Sequence, residues 1–380
     1  MEIIQNKDFL SIDAPVEHIK ELIYERKDIS EVRDRIERFF TGIEPAFFRL
    51  ISGSAGCGKT TSVLYVLYNF IKNNPQFSKD FVYINGSNIK TPKGMFKYLA
   101  QQLNTRTKDN TISSYAQDIE AKLNESQRAK LIVIDEVDKI YKNSRDSPKY
   151  LFLHSLNRMD VRPRHAILMI TNDFNLTRNF APELTGTLIE TVFNAYNAAD
   201  ILEILKLRAK YCLKHNFYTM DDLAKIAFET YNNPIGGNRA NIRHALNILF
   251  NATLLAQEKN KLISDVLEDA MEKVRIDNYV KLLEKYNRHL IILIKALALL
   301  KKKGSVGIYR FTNPDINYDE IKLTFFKLLE AEENRVISEA QLRKYIEQLV
   351  SENLLVRANR AKYNFLDDAD TILEAIEKIR

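Results

Sequence analysis

Through the first half of the chain, short and almost uninterrupted apolar runs recur between stretches of helical periodicity: Phe47–Ile51, Phe81–Ile84, Leu131–Ile134, Ile167–Ile170 and Ile189–Phe193. Runs of four or five residues are strand length. Their near-continuous apolar character is what strands need when helices cover both faces of a parallel sheet. The alternation predicts an α/β layer built on a parallel sheet. After Phe193 the strand runs stop. Leu202, Ile204, Leu205 and Leu207 mark one amphipathic helix, and Ile242, Leu246 and Leu249 mark a later one. Between them, Asn232-Asn233-Pro234-Ile235-Gly236-Gly237-Asn238 concentrates helix breakers into a turn.

From about Lys281 the pattern changes again. An apolar helix, Leu290–Leu300, ends in Lys301-Lys302-Lys303-Gly304, an ordinary helix C-terminus. Further helices follow, then a β-prone stretch at Leu354–Phe365, an order that suits a winged helix. The expected organisation is a nucleotide-binding α/β domain over residues 1–195, a small helical domain over 196–278 and a winged helix over 279–380.

Composition fits this layout. The 380 residues are 45% hydrophobic and 28% charged, a globular balance, and suffice for two or three domains. The net charge of +6 leans towards an anionic partner. The run Leu290–Leu300 is interrupted by Lys295 and falls short of the ~20 apolar residues a bilayer span needs. Residues 1–10 carry Glu2, Lys7 and Asp8 and no signal-like apolar segment, so the expected location is cytoplasmic, at the nucleoid. Cys57 and Cys212 stand far apart and outside any ligand cluster, which suggests neither a disulfide framework nor a zinc site.

The sharpest chemistry lies at Gly53-Ser54-Ala55-Gly56-Cys57-Gly58-Lys59-Thr60, followed by Thr61. It matches the phosphate-binding P-loop and sits between a strand run and a helical run. Glycines let the backbone wrap so that its N–H groups face phosphates, and the helix N-terminus adds a favourable dipole. Lys59 is expected to reach the β- and γ-phosphates of ATP, and Thr60 to reach Mg²⁺. Leu131-Ile132-Val133-Ile134-Asp135-Glu136 is an apolar strand ending in two acids, a Walker B pattern. Asp135 would hold the Mg²⁺ shell, and Glu136 would orient or deprotonate the attacking water. Ile167–Ile170 leads into Thr171-Asn172, and Asn172 is placed to hold that water as sensor 1.

Together with the helical domain behind them, these motifs resemble the AAA+ ATPases. Ile134–Ile140, Thr171-Asn172-Asp173 and Phe81–Asn85 are similar to the corresponding phrases of the archaeal origin-recognition and licensing (Orc/Cdc-type) initiators. Tyr24–Ile29, which contains Arg26, resembles that family's adenine-pocket segment. Ala240–Asn247 resembles its sensor 2 phrase, placing a phosphate-sensing arginine at Arg243, with Arg239 beside it. Ile337–Leu349 resembles the recognition helix of its winged-helix domain, with Ser338 as N-cap and Leu342, Ile346 and Leu349 as the buried stripe. Gln341, Arg343, Lys344 and Gln348 then face outwards, and Arg357, Arg360 and Lys362 fall on the wing. A DNA-contacting helical insert is expected around Asn88–Lys97, with Lys90, Lys93 and Lys97 as its basic face.

The resemblance implies a slow ATPase that uses ATP/ADP and Mg²⁺ as a switch. Its partners would be double-stranded DNA at a replication origin and the replicative helicase. One departure stands out. The family's arginine and serine before the fifth strand are replaced by Ala181-Pro182-Glu183-Leu184-Thr185-Gly186, and Arg178, a few residues upstream, is a weak candidate to substitute for the finger. The residues leave oligomeric state open. They also leave two rivals: a transcriptional or plasmid copy-number regulator with the same domains, and a signalling or scaffold ATPase whose winged helix binds protein.

Overall fold

The computed structural model describes residues 3–5, 22–44, 47–89, 91–105, 110–126, 128–142, 165–173, 176, 188–232, 240–304, 315–333, 337–352, 354–359, 361–365 and 367–379. The chain divides into two compact units, one of residues 14–195 and one of residues 196–380 together with 1–13.

In the first unit, all five apolar runs form strands: β1 (Phe48–Gly53), β2 (Phe81–Asn85), β3 (Lys130–Asp135), β4 (His165–Thr171) and β5 (Leu188–Phe193). They make one sheet in the order β2-β3-β4-β1-β5, with its neighbouring strands parallel. Alternation of side chains explains the apolar runs. Leu50, Ile132, Ile134, Ile167 and Met169 face α3 (Pro92–Gln102) and α4 (Ile112–Glu125), through Phe96, Leu99, Ile119 and Leu123. Ile51, Leu131, Val133, Leu168 and Ile170 face α1 (Lys27–Phe40) and α2 (Lys59–Asn73), through Val32, Ile36, Val63 and Phe70. Both faces are covered, so neither alternation class can be polar. α5 (Val137–Lys142) follows β3 directly.

The second unit starts with α6 (Ala198–Cys212), capped by a reciprocal Asn197–Asp200 box, then α7 (Met220–Asn232), α8 (Ile242–Lys259) and α9 (Leu267–Leu283). Ile201, Ile204, Leu205 and Ala209 make the buried face of α6, whereas Leu202 and Leu207 are only half-buried. The turn expected at 232–238 lies, beyond Asn232, outside the described residues.

α10 (Arg288–Gly304), β6 (Ile316–Asn317), α11 (Tyr318–Glu333), α12 (Glu339–Ser351), β7 (Leu355–Arg357), β8 (Lys362–Phe365) and α13 (Ala369–Ile379) complete the chain. A small antiparallel sheet in the order β6-β8-β7 follows the helices, which is a winged helix. α9 serves both parts of this unit. Its Ile276, Tyr279 and Leu283 join the winged-helix core with Leu293, Phe325, Ile346 and Phe365. The lysine triplet closes α10 as expected, yet Lys301 is tied down. Its Nζ donates to the Phe365 carbonyl at 3.0 Å and the Asp367 carbonyl at 2.9 Å. Among the described residues, no helix is long and apolar enough to cross a membrane.

His244 is buried in α8, its Nδ1 lying 3.0 Å from Asn278 Nδ2 of α9, with Glu229 of α7 and Arg275 of α9 as its charged neighbours. Burial pushes its pKa down to about 4, from the ordinary histidine value of 6.5. A depressed imidazole favours folding in its neutral form, so the contribution is complete above about pH 6.5 and lost as pH falls towards 4. Unfolding free energy should drop by roughly 1–2 kcal/mol more between pH 7 and pH 5 in the wild type than in His244→Gln, as measured by urea titration.

Candidate nucleotide site

The parallel sheet delivers the site residues to one edge. β1 ends at Gly53, β3 at Asp135 and β4 at Thr171, and the register pairs Ser52 with Thr171 and Asn85 with Asp135. The loop after β1 turns back through Gly56 (φ 79°) and Gly58 (φ 87°), both left-handed, before α2 opens on Lys59. Only glycine adopts such angles without strain, which is why the loop can wrap.

Lys59 is buried, and its ammonium donates to the carbonyls of Gly53 and Ser54, each at 2.8 Å, and to Asn172 Oδ1 at 2.9 Å. Burial lowers its pKa, opposed by Cys57, Asp135 and Asp138. Asn172 is itself positioned by Asp138, whose Oδ1 accepts from the Asn172 amide and the Thr171 hydroxyl, both at 3.2 Å. Thr60 Oγ1 donates to Asp135 Oδ1 at 3.2 Å. Asp135 also receives the Glu136 amide at 2.8 Å and, on Oδ2, the Tyr83 hydroxyl at 2.8 Å. Burial pushes the Asp135 carboxyl up, against the pull of those hydrogen bonds. Burial beside Asp135 likewise raises the Tyr83 phenol, keeping it a donor.

Glu136 has φ 50°, an unusual value for a side chain of its size. Its carboxylate accepts Lys139 Nζ at 2.8 Å on both oxygens and also accepts the Ser87 hydroxyl. Gly86 makes this turn possible. A Cβ there would come within 2.5 Å of the Glu136 carbonyl and 2.7 Å of the Asp135 carbonyl.

The structure thus brings Lys59, Thr60, Asp135 and Asn172 into one hydrogen-bonded cluster, with Glu136 beside it. Arg26 lies in the same unit, its guanidinium held by Asp28 at 2.7 Å and the Asn194 carbonyl at 3.0 Å, just beyond β5. Arg243 belongs to the other unit, exposed in the first turn of α8, where its amide donates to the Asn241 cap at 3.0 Å. Arg178 and Arg239 lie outside the described residues.

In the winged helix, Ser338 caps α12, and Leu342, Ile346 and Leu349 are buried, joined by Tyr345. Arg343 and Lys344 are exposed, and Gln341 and Gln348 half-buried. Arg357 and Lys362 sit on β7 and β8, and Arg360 is outside the described residues. The stretch read as a helical insert is the start of α3, whose other face is in the sheet core. Lys93 and Lys97 are exposed on it, and Lys90 is outside the described residues.

Sequence reading gave no role to Tyr83, Ser87, Lys139 or Asp138. The signal for Tyr83 was available: it is a hydroxyl-bearing residue two positions before the end of a buried strand, paired in register with Val133, itself two before Asp135.

A family profile described as an AAA domain matches residues 44–175. The chain is 27% identical over 282 residues to "ORC1-type DNA replication protein 3" of Sulfurisphaera tokodaii, spanning 71% of this chain and 69% of the relative. It is 24% identical over 273 residues to "ORC1-type DNA replication protein 1" of Methanosarcina acetivorans, spanning 68% of this chain and 63% of the relative. Among solved structures, the Aeropyrum pernix ORC1 protein in complex with DNA aligns with TM-score 0.70 and 17% identity, covering 100% of this chain and 98% of that one. The Aeropyrum pernix ORC2 protein in ADPNP-ADP complexes aligns with TM-score 0.68 and 16% identity, over 100% of this chain and 98% of that one.

Gly86→Ala should cost about 1–3 kcal/mol of stability in thermal unfolding, because the new methyl meets two backbone carbonyls that cannot retreat. It should also weaken nucleotide binding. The sheet order, the loop geometry and the sequence relatives agree: residues 44–175 form an AAA domain, and the chain is similar to the archaeal ORC1-type DNA replication proteins.

Proposed function

We propose that this protein is an ATP-dependent, DNA-binding replication initiator in which the bound nucleotide acts as a conformational signal. The observation that carries the reading is the cluster of Lys59, Thr60, Asp135 and Asn172 at the strand ends, in a chain that also folds a winged helix with a basic face. In this reading residues 1–195 hold the nucleotide, 196–278 form the lid and 279–380 contact DNA.

The loop Gly53–Thr61 cradles the phosphates, and Lys59 exchanges its carbonyl partners for phosphate oxygens. Arg26 borders the adenine pocket, and Arg243 is the sensor of the γ-phosphate. The Thr60 hydroxyl and Asp135 carboxylate, 3.2 Å apart, are the hard oxygen donors that Mg²⁺ prefers. Bound there, the ion would neutralise charge on the β- and γ-phosphates. Glu136 and Asn172 hold the attacking water.

Slow hydrolysis is supported by the geometry of Glu136. An ammonium on both carboxylate oxygens, with the Ser87 hydroxyl as well, occupies the lone pairs that the proton of the attacking water needs. Turnover therefore waits on release of Lys139. Lys139→Met should raise single-turnover ATP hydrolysis about three- to tenfold, a modest part of the ~10²–10⁴ that a general base contributes. Equal or slower turnover would count against this role.

The reading as a whole is tested by footprinting on genomic fragments with and without ATP and Mg²⁺. Nucleotide-dependent protection concentrated at the replicon's origin is the expected result, weakening steeply with salt because phosphate contacts dominate affinity. Protection no better than on random DNA would overturn it, and protection at promoters instead would identify a transcriptional regulator.

A further inference from the structure

The basic face of the winged helix is already paired with acids of this same chain. Arg343 donates to Glu339 at 2.9 Å, Arg357 donates to Glu347, and Lys362 lies 3.7 Å from Asp315. Lys344 makes no such pair among the described residues.

Both guanidiniums are also held over aromatic rings. Arg343 lies 4.7 Å from the centroid of Tyr318, at the start of α11, and Arg357 lies 5.7 Å from the centroid of Tyr363, its cross-strand partner on β8. The two arginines flank an open notch of about 260 Å³ between α12 and the wing, with Ile346 and Glu347 completing its lining. Glu339 is fixed from three sides, by Lys322, Arg343 and the Tyr318 hydroxyl, which together push its carboxyl down to about 2.

We propose that Glu339 and Glu347 stand in for DNA phosphates: they hold Arg343 and Arg357 ready, and a duplex binds at this notch by displacing them. The inference rests on the DNA-binding reading and deepens it.

Three arguments converge. A guanidinium offers a rigid planar fork that suits carboxylate and phosphate oxygens alike, so a carboxylate partner keeps the fork in the geometry a phosphate needs. Stacking on Tyr318 and Tyr363 fixes the plane of each fork, so little side-chain freedom remains to be lost on binding. Finally, all four partners are substantially exposed, with side-chain exposures of 64% and 39% for Arg343 and Glu339, and 46% and 57% for Arg357 and Glu347. Exposed pairs contribute little, and a row of phosphates can replace them. The carboxylates then face the DNA backbone and repel it. This sets an affinity threshold and disfavours loose association with arbitrary duplex.

The test is a double-mutant cycle on the full chain, with duplex affinity read by fluorescence anisotropy on a fragment carrying the replicon's origin, at fixed salt. Glu347 is exposed and pairs with Arg357, so Glu347→Gln should fold normally, which circular dichroism checks. Glu347→Gln should tighten binding about two- to fivefold, the release of one exposed pair. Arg357→Gln should weaken it, and adding Glu347→Gln to Arg357→Gln should bring no further gain, because the competed cation is gone. The same gain in both backgrounds would show a general charge effect and overturn the proposal, as would unchanged or weaker binding by Glu347→Gln. If neither wild type nor any variant binds duplex, the DNA-binding reading itself fails and takes this inference with it. A role of the notch in holding protein would leave duplex affinity untouched across the cycle, which overturns the proposal in favour of that partner.

Discussion

The parallel register of β1, β3 and β4 is the constraint on which the nucleotide site depends. In a parallel sheet all strands end on the same edge, so a loop leaving β1 and acids leaving β3 share one shelf without any further design. Ser52 opposite Thr171 and Asn85 opposite Asp135 fix the depth of that shelf to the residue. A slip of one position would turn Asp135 into the core and bring Ile134 to its place. Buried apolar residues on both faces prevent the slip, since every strand residue would then be on the wrong side. The chemistry at the edge is thus held in place by Leu131–Ile134 and Ile167–Ile170, which touch no ligand.

A second theme is that the central charges at these sites are partnered within the chain. Lys59 sits on loop carbonyls and Asn172, Asp135 on three donors, Glu136 on Lys139 and Ser87, and Arg357 on Glu347. For buried groups this is required, because an unsatisfied charge away from water costs several kcal/mol. For exposed groups the pairing is cheap and reversible. The consequence differs accordingly: at the nucleotide site ligand binding exchanges one set of obligatory bonds for another, whereas on the winged helix it displaces weak pairs.

Much of this was legible in the sequence. All five strands were found from apolar runs, since a doubly covered strand has to be apolar on both alternations, and boundaries differed by at most two residues where polar ends such as Lys130 and His165 joined the sheet. The loop, Asp135, Glu136 and Asn172 were readable because motif and context coincide. What escaped was whatever depends on which strand neighbours which. Tyr83 acts across the β2–β3 pairing, and Ser87 and Lys139 meet on Glu136 only because Gly86 lets the turn after β2 approach the β3 end. The helix expected around Asn88–Lys97 has a second side for a related reason. Its lysines mark an exposed face, but Met95, Phe96 and Leu99 between them make it part of the sheet's cover. The acid partner of Arg357 on the wing, Glu347, was not legible, because pairing across α12 and β7 is tertiary.

The remaining step concerns how a nucleotide signal could reach the winged helix, and α9 supplies the physical link. Its first half buries Leu267, Ala270 and Val274, while its second half buries Tyr279 and Leu283 in the winged-helix core. Tyr279 lies beside Asp367, and Lys301 grips the carbonyls of Phe365 and Asp367, so the segment after β8 is held against α9 and α10 together. A helix is stiff along its length, and packed interiors transmit displacement instead of absorbing it. The helices before α9 and the winged helix are therefore joined through α9, consistent with their lying in a single compact unit. Any change that moves α8, where Arg243 stands, acts on α9 through His244 and Asn278. Coupling then needs no separate relay: the element that packs against α8 is the same one that enters the winged-helix core.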